Sequence, residues 1–456
     1  MAIVFSLCAA YVAYCLATNP AGPLTTPDSI HYLNTSPIVP LGYPVFLKIV
    51  GARGALIVQP VLFGAALAFL GAQIVRLTRS TALAAAVVLG TIALPQIREF
   101  HASILSESLF MSALVVFLAL AIRFSYWSTW HLMVLIATAA GVSATVRRTG
   151  FALLPVMLVM VLLERRRLRG SPATLFMVAA VAPFLVIIGA EQVAAPLLHA
   201  GRSSSLMGRH MFAKAALIDA PPAPPSADAV RSALDRHLEV DYAPIRELLA
   251  SAPRDIRGVL TIYYETCLQG GCADRSRHVM PGVDESIQTN TLGAAGLSRI
   301  ARAPAAFVRL LARNYESLWT VDRLRHPDRA APLTAFIASH RPLPFERLAL
   351  ALAPEHVLEF EPVPRVRYMQ IVMTGLGWWT GGLALAGIAA LLLASPLPRG
   401  MAIAAVAALT AHAGLLLTAG LAAGFSRFTI GLWPAIVTAA IFGVWSVVVD
   451  SRRQPA

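Results

Sequence analysis

Apolar residues occur along this chain in long blocks rather than in alternation with polar ones. Nearly uninterrupted apolar runs lie at 2–18, 55–75, 81–95, 104–122, 131–146, 150–163, 172–191, 369–393, 401–421 and 429–449. A helix that crosses the hydrocarbon core of a bilayer needs roughly 20 such residues. Several runs are short, and two fit a tilted or partly interfacial helix. The pattern predicts an all-α polytopic membrane protein with about ten transmembrane helices. No Lys or Arg precedes residues 2–18 and no small-x-small site follows them, so they read as an uncleaved first span rather than a signal peptide.

From 192 to 368 the pattern changes. A Pro-rich stretch at 220–226, APPAPPS, reads as an exposed link. Around it lie segments with helical spacing of apolar positions: 227–240, 242–252, 254–268 and 297–321, the last with Arg opposite an apolar face. No alternating strand pattern appears. The expected organisation is an N-terminal transmembrane module at 1–191 with a first outer loop at 19–54, a helical insert at 192–368, and C-terminal transmembrane helices with a tail at 369–456.

Composition agrees: 57% of residues are hydrophobic and 13% charged, against about 25% charged in soluble domains. The formal charge of +13 is almost entirely Arg, since Lys48 and Lys214 are the only lysines. Basic residues collect in cytoplasmic loops, so this charge needs no nucleic-acid partner. Placing both termini in the cytoplasm puts the densest basic connection (164–170, ERRRLRG) and the tail (450–456, DSRRQPA) on the cytoplasmic side. The insert then lies outside. Cys8 and Cys15 read as packing residues. Cys267 and Cys272 flank Leu-Gln-Gly-Gly and fit a small disulfide loop if the insert is extracytoplasmic.

With that orientation, some arginines stand at outer span ends, against the charge rule: Arg98, the pair Arg147 and Arg148, and Arg427. Arg presents a fork of donors matched to phosphate. The alternatives are an anionic lipid group bound by the set, or snorkelling to ordinary headgroups. Acids on that side are few: Asp28 in the first loop, Glu99, and Glu107 at the start of an apolar span. An ionisable group at a span start is a functional candidate, but an acid in the first turn also satisfies the helix dipole. Asp28 could equally cap a short interfacial helix.

The first-loop residues PDSIHYL (27–33) and PLGYPVFL (40–47) resemble the first external loop of GT-C glycosyltransferases. The similarity is to the branch of protein O-mannosyltransferases, lipid A aminoarabinose transferases and rhizobial lipopolysaccharide transferases. ILSESLFM (104–111), RRTGFALLP (147–155) and SRFTIGLWPAI (426–436) resemble later segments of that family in the same order. The resemblance implies a bacterial inner-membrane enzyme with a periplasmic active site. Its donor would be a polyprenyl-phosphate-linked sugar, transferred with inversion to an acceptor hydroxyl of a glycolipid, polysaccharide or protein.

By position, Asp28 would be the general base. Arg98, Arg147, Arg148 and Arg427 would supply the cations for the donor phosphate. His31, Tyr32, Tyr43, Glu99, His101 and Glu107 would line the sugar and acceptor site. Ser29 follows Asp28, so the paired acid that binds metal in many members is missing, and no cofactor is expected. A Gly-rich nucleotide loop, G-x-S-x-G and H-E-x-x-H are absent. The competing readings are a non-catalytic subunit of a cell-envelope polysaccharide system and a lipid-linked-saccharide transporter. A transporter would carry charges deep along several spans, and here they gather at one rim.

Overall fold

The computed structural model describes residues 1–25, 28–164, 173–198, 207–224, 226, 228–251, 279–319, 364–393, 395, 397–421 and 427–451. The arginines of 165–169, Cys267, Cys272 and the tail from 452 lie outside the described residues. Among the described residues the chain is helical, and its sole β feature is an isolated bridge between Leu24 and Ser103.

Every expected apolar run contains a helix. In chain order the first nine helices are α1 (Ala2–Ala17), α2 (Ser29–Leu33), α3 (Gly42–Thr78), α4 (Thr81–Ile92), α5 (Pro95–Ala102), α6 (Glu107–Phe124), α7 (Trp130–Val146), α8 (Leu153–Glu164) and α9 (Ala173–Leu198). Among the described residues there follow α10 (Met207–Ala216), α11 (Ala229–Arg236), α12 (Ala243–Ser251), α13 (Glu285–Arg302) and α14 (Pro304–Leu318). The last four are α15 (Pro364–Leu392), α16 (Arg399–Leu421), α17 (Arg427–Gly431) and α18 (Trp433–Ser451). Among the described residues, five helices are long and apolar enough to cross a membrane, or six if α4 and α5, bent by 62° at their junction, form one broken span. The shorter apolar helices α1, α7 and α18 make up much of the difference from ten.

Local chemistry sets several boundaries. Ser80 and Thr129 accept from Leu83 N and Leu132 N and so cap α4 and α7. Pro95 opens α5, where a missing N–H costs nothing. α3 begins at Gly42, so the last part of the expected first outer loop, 19–54, lies within this helix. Pro44 is accommodated in the first turn. Gly51, at φ 73° and ψ 160°, breaks α3 into a lead-in turn and the long span, in a conformation open to glycine.

Contact clustering divides the chain into two compact units. The first comprises residues 1–202, 375–415 and 429–456. In it α3 packs on α1, α4 and α6, and α7 packs on α6 and α9. Gly64 and Gly71 of α3 meet Val12 and Val4 of α1 so closely that an added Cβ would stand 2.3 Å and 2.4 Å from them. Small residues let helix backbones approach in this way where lipid supplies no hydrophobic drive.

The second unit comprises 203–374 and 416–428. Its core gathers Phe212, Ile218, Leu234, Leu238, Tyr242 and Leu292. α10 crosses α13 with backbones in contact at Gly208, Gly293 and Gly296. Buried Arg246 donates to the carbonyls of Ala216, Leu238 and Glu239, and Arg299 to that of Ile218.

Candidate functional site

The first loop is pinned to the stretch between α5 and α6. Leu24 N donates to Ala102 O at 2.8 Å and Ile104 N donates to Leu24 O at 2.9 Å. Ser29 Oγ, buried, donates to Ile104 O at 2.9 Å. These bonds fix α2 beside the head of α6. Asp28 is half-buried and holds the N-cap position of α2, but its side chain makes no capping bond. The capping role weighed from sequence therefore has the right place but not the capping bond.

Tyr32, at the other end of α2, carries the connection inward. Its hydroxyl lies 3.0 Å from Ser106 Oγ, and its ring meets that of Tyr43 edge-on at 5.0 Å. Burial, with the Glu107 carboxylate nearby, pushes the Tyr32 hydroxyl up to about 12, so it stays protonated at neutral pH. Tyr43 Oη donates to Gln59 Oε1 at 3.1 Å, and Gln59 Nε2 donates to His101 O at 3.0 Å. Gln59, a polar residue inside a span, thus ties α3 to the stretch that carries the first loop.

The two adjacent arginines go to different partners. Arg147 Nη1 lies 3.0 Å from Glu107 Oε1 and donates to Ser106 Oγ at 3.1 Å. Glu107 is buried, and its Oε2 has no hydrogen-bond partner among the described residues. Arg148 Nη1 lies 2.9 Å from Glu191 Oε2, and its guanidinium sits over Phe151. The other oxygen of Glu191 accepts from Leu41 N at 3.0 Å, immediately before α3. Gly150 lets the 148–152 turn fold onto α7: a Cβ there would stand 2.4 Å from Ala144 N.

The remaining sequence-predicted residues spread out. Arg98 donates to Thr18 O and lies over the Tyr14 ring, at the end of α1. Glu99 is exposed. His31 is half-buried on α2. His101 is fully buried between Tyr11 and Phe63, with Nδ1 2.6 Å from Ser108 Oγ. Arg427 opens α17, and its side chain lies outside the described residues. The structure brings Tyr32, Glu107 and Arg147 together around Ser106, with the Tyr43 ring against that of Tyr32 and Asp28 at the start of the same short helix, and it sets Arg148 on Glu191.

Glu191 and Ser106 are the residues the sequence reading missed. Glu191 had a signal, a lone acid at the end of an otherwise apolar run. Ser106 had none beyond its place before Glu107. No group of three or more His, Cys, Asp or Glu side chains is placed to hold a metal ion among the described residues.

No protein-family model matches the sequence, and no curated protein matches it. A crystal structure of ArnT from Cupriavidus metallidurans bound to undecaprenyl phosphate is similar at a TM-score of 0.31 and 12% identity, covering 99% of this chain and 80% of that one. Similarity at that level assigns neither fold family nor residue roles.

Proposed function

We propose that the protein is a membrane glycosyltransferase of GT-C type that moves a sugar from a polyprenyl-phosphate donor to an acceptor hydroxyl on the periplasmic side, with inversion. Asp28 is the general base. The observation that carries this reading is the seating of Asp28. A half-buried carboxylate stands at the N-cap position of a short helix that is tied, through Tyr32 and Ser106, to Arg147. A carboxylate beside a nucleophilic hydroxyl takes its proton as attack develops. Cations near the leaving phosphate stabilise its charge in a site of low dielectric. Arg98, Arg147, Arg148 and Arg427 are the cation candidates. His31, Tyr43 and exposed Glu99 are the candidates for sugar or acceptor contacts. The proposal includes no cofactor and no metal, because Ser29 stands where a second acid would complete a metal pair.

The test is release of polyprenyl phosphate from a panel of polyprenyl-phosphate sugars, run on parent and Asp28→Asn with membrane extract as acceptor source. Release by the parent and loss in the variant, at unchanged thermal stability, is the expected result. Near-parental release by Asp28→Asn removes the base assignment. No release by either, across the panel, removes the enzyme reading.

A further inference from the structure

Arg147 and Arg148 are adjacent, yet they cannot act as one clamp. Arg147 has an extended backbone, φ −151° and ψ 131°, between α7 and the turn that Arg148 begins. Successive side chains of an extended segment leave on opposite sides. One consequently reaches Glu107 at the start of α6 and the other Glu191 near the end of α9. The two pairs differ in access. The Arg147 side chain is 14% exposed and its partner 1%, whereas the Arg148 side chain is 47% exposed and its partner 3%.

Arg147 is spent on Glu107 and Ser106 inside the protein. Arg148 gives one terminal nitrogen to Glu191, and its Nε and second terminal nitrogen bond no described residue. Glu191 in turn is fixed by Leu41 N at the head of α3, where the helix dipole favours a carboxylate. The guanidinium is therefore anchored at one corner by a buried acid, on a side chain that is itself 47% exposed.

The geometry points to Glu191 as a positioning residue that aims Arg148, rather than Arg147, at the phosphate of the lipid-linked donor. This rests on the donor reading above and assigns its phosphate contact to one arginine. Glu191 never touches the donor. It holds the guanidinium plane so that a bidentate pair of N–H bonds is presented without the entropy loss of ordering a free Arg side chain.

The experiment measures binding of a polyprenyl monophosphate, the matching polyprenol and inorganic phosphate to the full chain in phosphatidylcholine nanodiscs. It is run on parent, Arg148→Ala, Glu191→Gln and the double variant. The parent is expected to prefer the monophosphate over the polyprenol, and Arg148→Ala to lose about tenfold or more in that preference. Glu191→Gln should lose a comparable factor, and the double variant no more than Arg148→Ala alone, because Glu191 acts only through Arg148.

Should Glu191→Gln fail to fold, Glu191→Asp, which keeps the charge but draws the anchor back, should raise KM for the sugar donor with kcat little changed. Additive losses in the double variant would make Glu191 merely structural and overturn the proposal. So would an Arg148→Ala variant with the parent's preference. A parent that does not distinguish monophosphate from polyprenol would overturn the donor reading itself. A parent that binds inorganic phosphate as tightly as the lipid would remove the lipid donor while locating an anion.

Discussion

Removing the charge of Glu107 while keeping its shape tests the buried framework most directly. The pair sits 3.0 Å apart with the acid 1% exposed. Two unit charges at that distance attract by roughly 5 kcal/mol at an effective dielectric constant of 20. Desolvation of both ions offsets much of this attraction, so the pair as a whole adds little net stability. Removing one partner is different, because it leaves the other charge buried and uncompensated at about 3–5 kcal/mol. Glu107→Gln should therefore destabilise the first unit by an amount in that range, and Arg147→Met by a similar one. The double variant, which removes both charges, should recover most of the loss. The assay is denaturation of purified protein in detergent micelles, followed by tryptophan fluorescence, with the four proteins forming a double-mutant cycle. Single variants within about 0.5 kcal/mol of the parent would place the pair in effectively aqueous surroundings. A double variant as unstable as the sum of the singles would show that the two side chains do not interact. Either result would refute the account of the site given above.

Gly150→Ala should destabilise by about 1–3 kcal/mol or more, because the new Cβ meets the α7 backbone at Ala144 and no side chain can move aside; the same denaturation assay measures it. In the second unit, burial and the neighbouring Lys214 ammonium push the His210 imidazole down to about 4 from its ordinary 6.5. Between those values the unfolded chain binds the extra proton and the folded chain does not, so stability rises with pH and is lost as pH falls from 6.5 toward 4. Thermal melts across that window should steepen this loss in the parent and flatten it in His210→Asn.

Much of the helix layout is legible in the sequence because hydropathy blocks report burial in lipid directly. The start of α3 is less legible, for a local reason. Gly42, Pro44 and Gly51 signal a loop by residue type, yet Pro44 falls in a first turn and Gly51 at a kink, both places where a helix tolerates them. The site was legible in part. Asp28, Tyr32, Glu107 and Arg147 could be named, but their mutual contacts could not, since Tyr32 and Ser106 are separated by 74 positions. His101 shows the opposite failure: it stands beside the right segment, but its ring turns into the packing of α1 and α3. The role of Glu191 is not legible because its partners, Leu41 and Arg148, lie 150 and 43 positions away.

The bridge between Leu24 and Ser103 has a consequence for the order in which the protein acquires its shape. Four hydrogen bonds that seat the first loop and α2 come from residues 102–106, which leave the ribosome some eighty residues after the loop they hold. Closing a flexible segment of that size costs about 4 kcal/mol in chain entropy. A nascent chain halted before residue 102 lacks these four bonds. The segment encoded near the beginning thus reaches its final seat only after residues 102–106 have been made, at the start of the sixth helix.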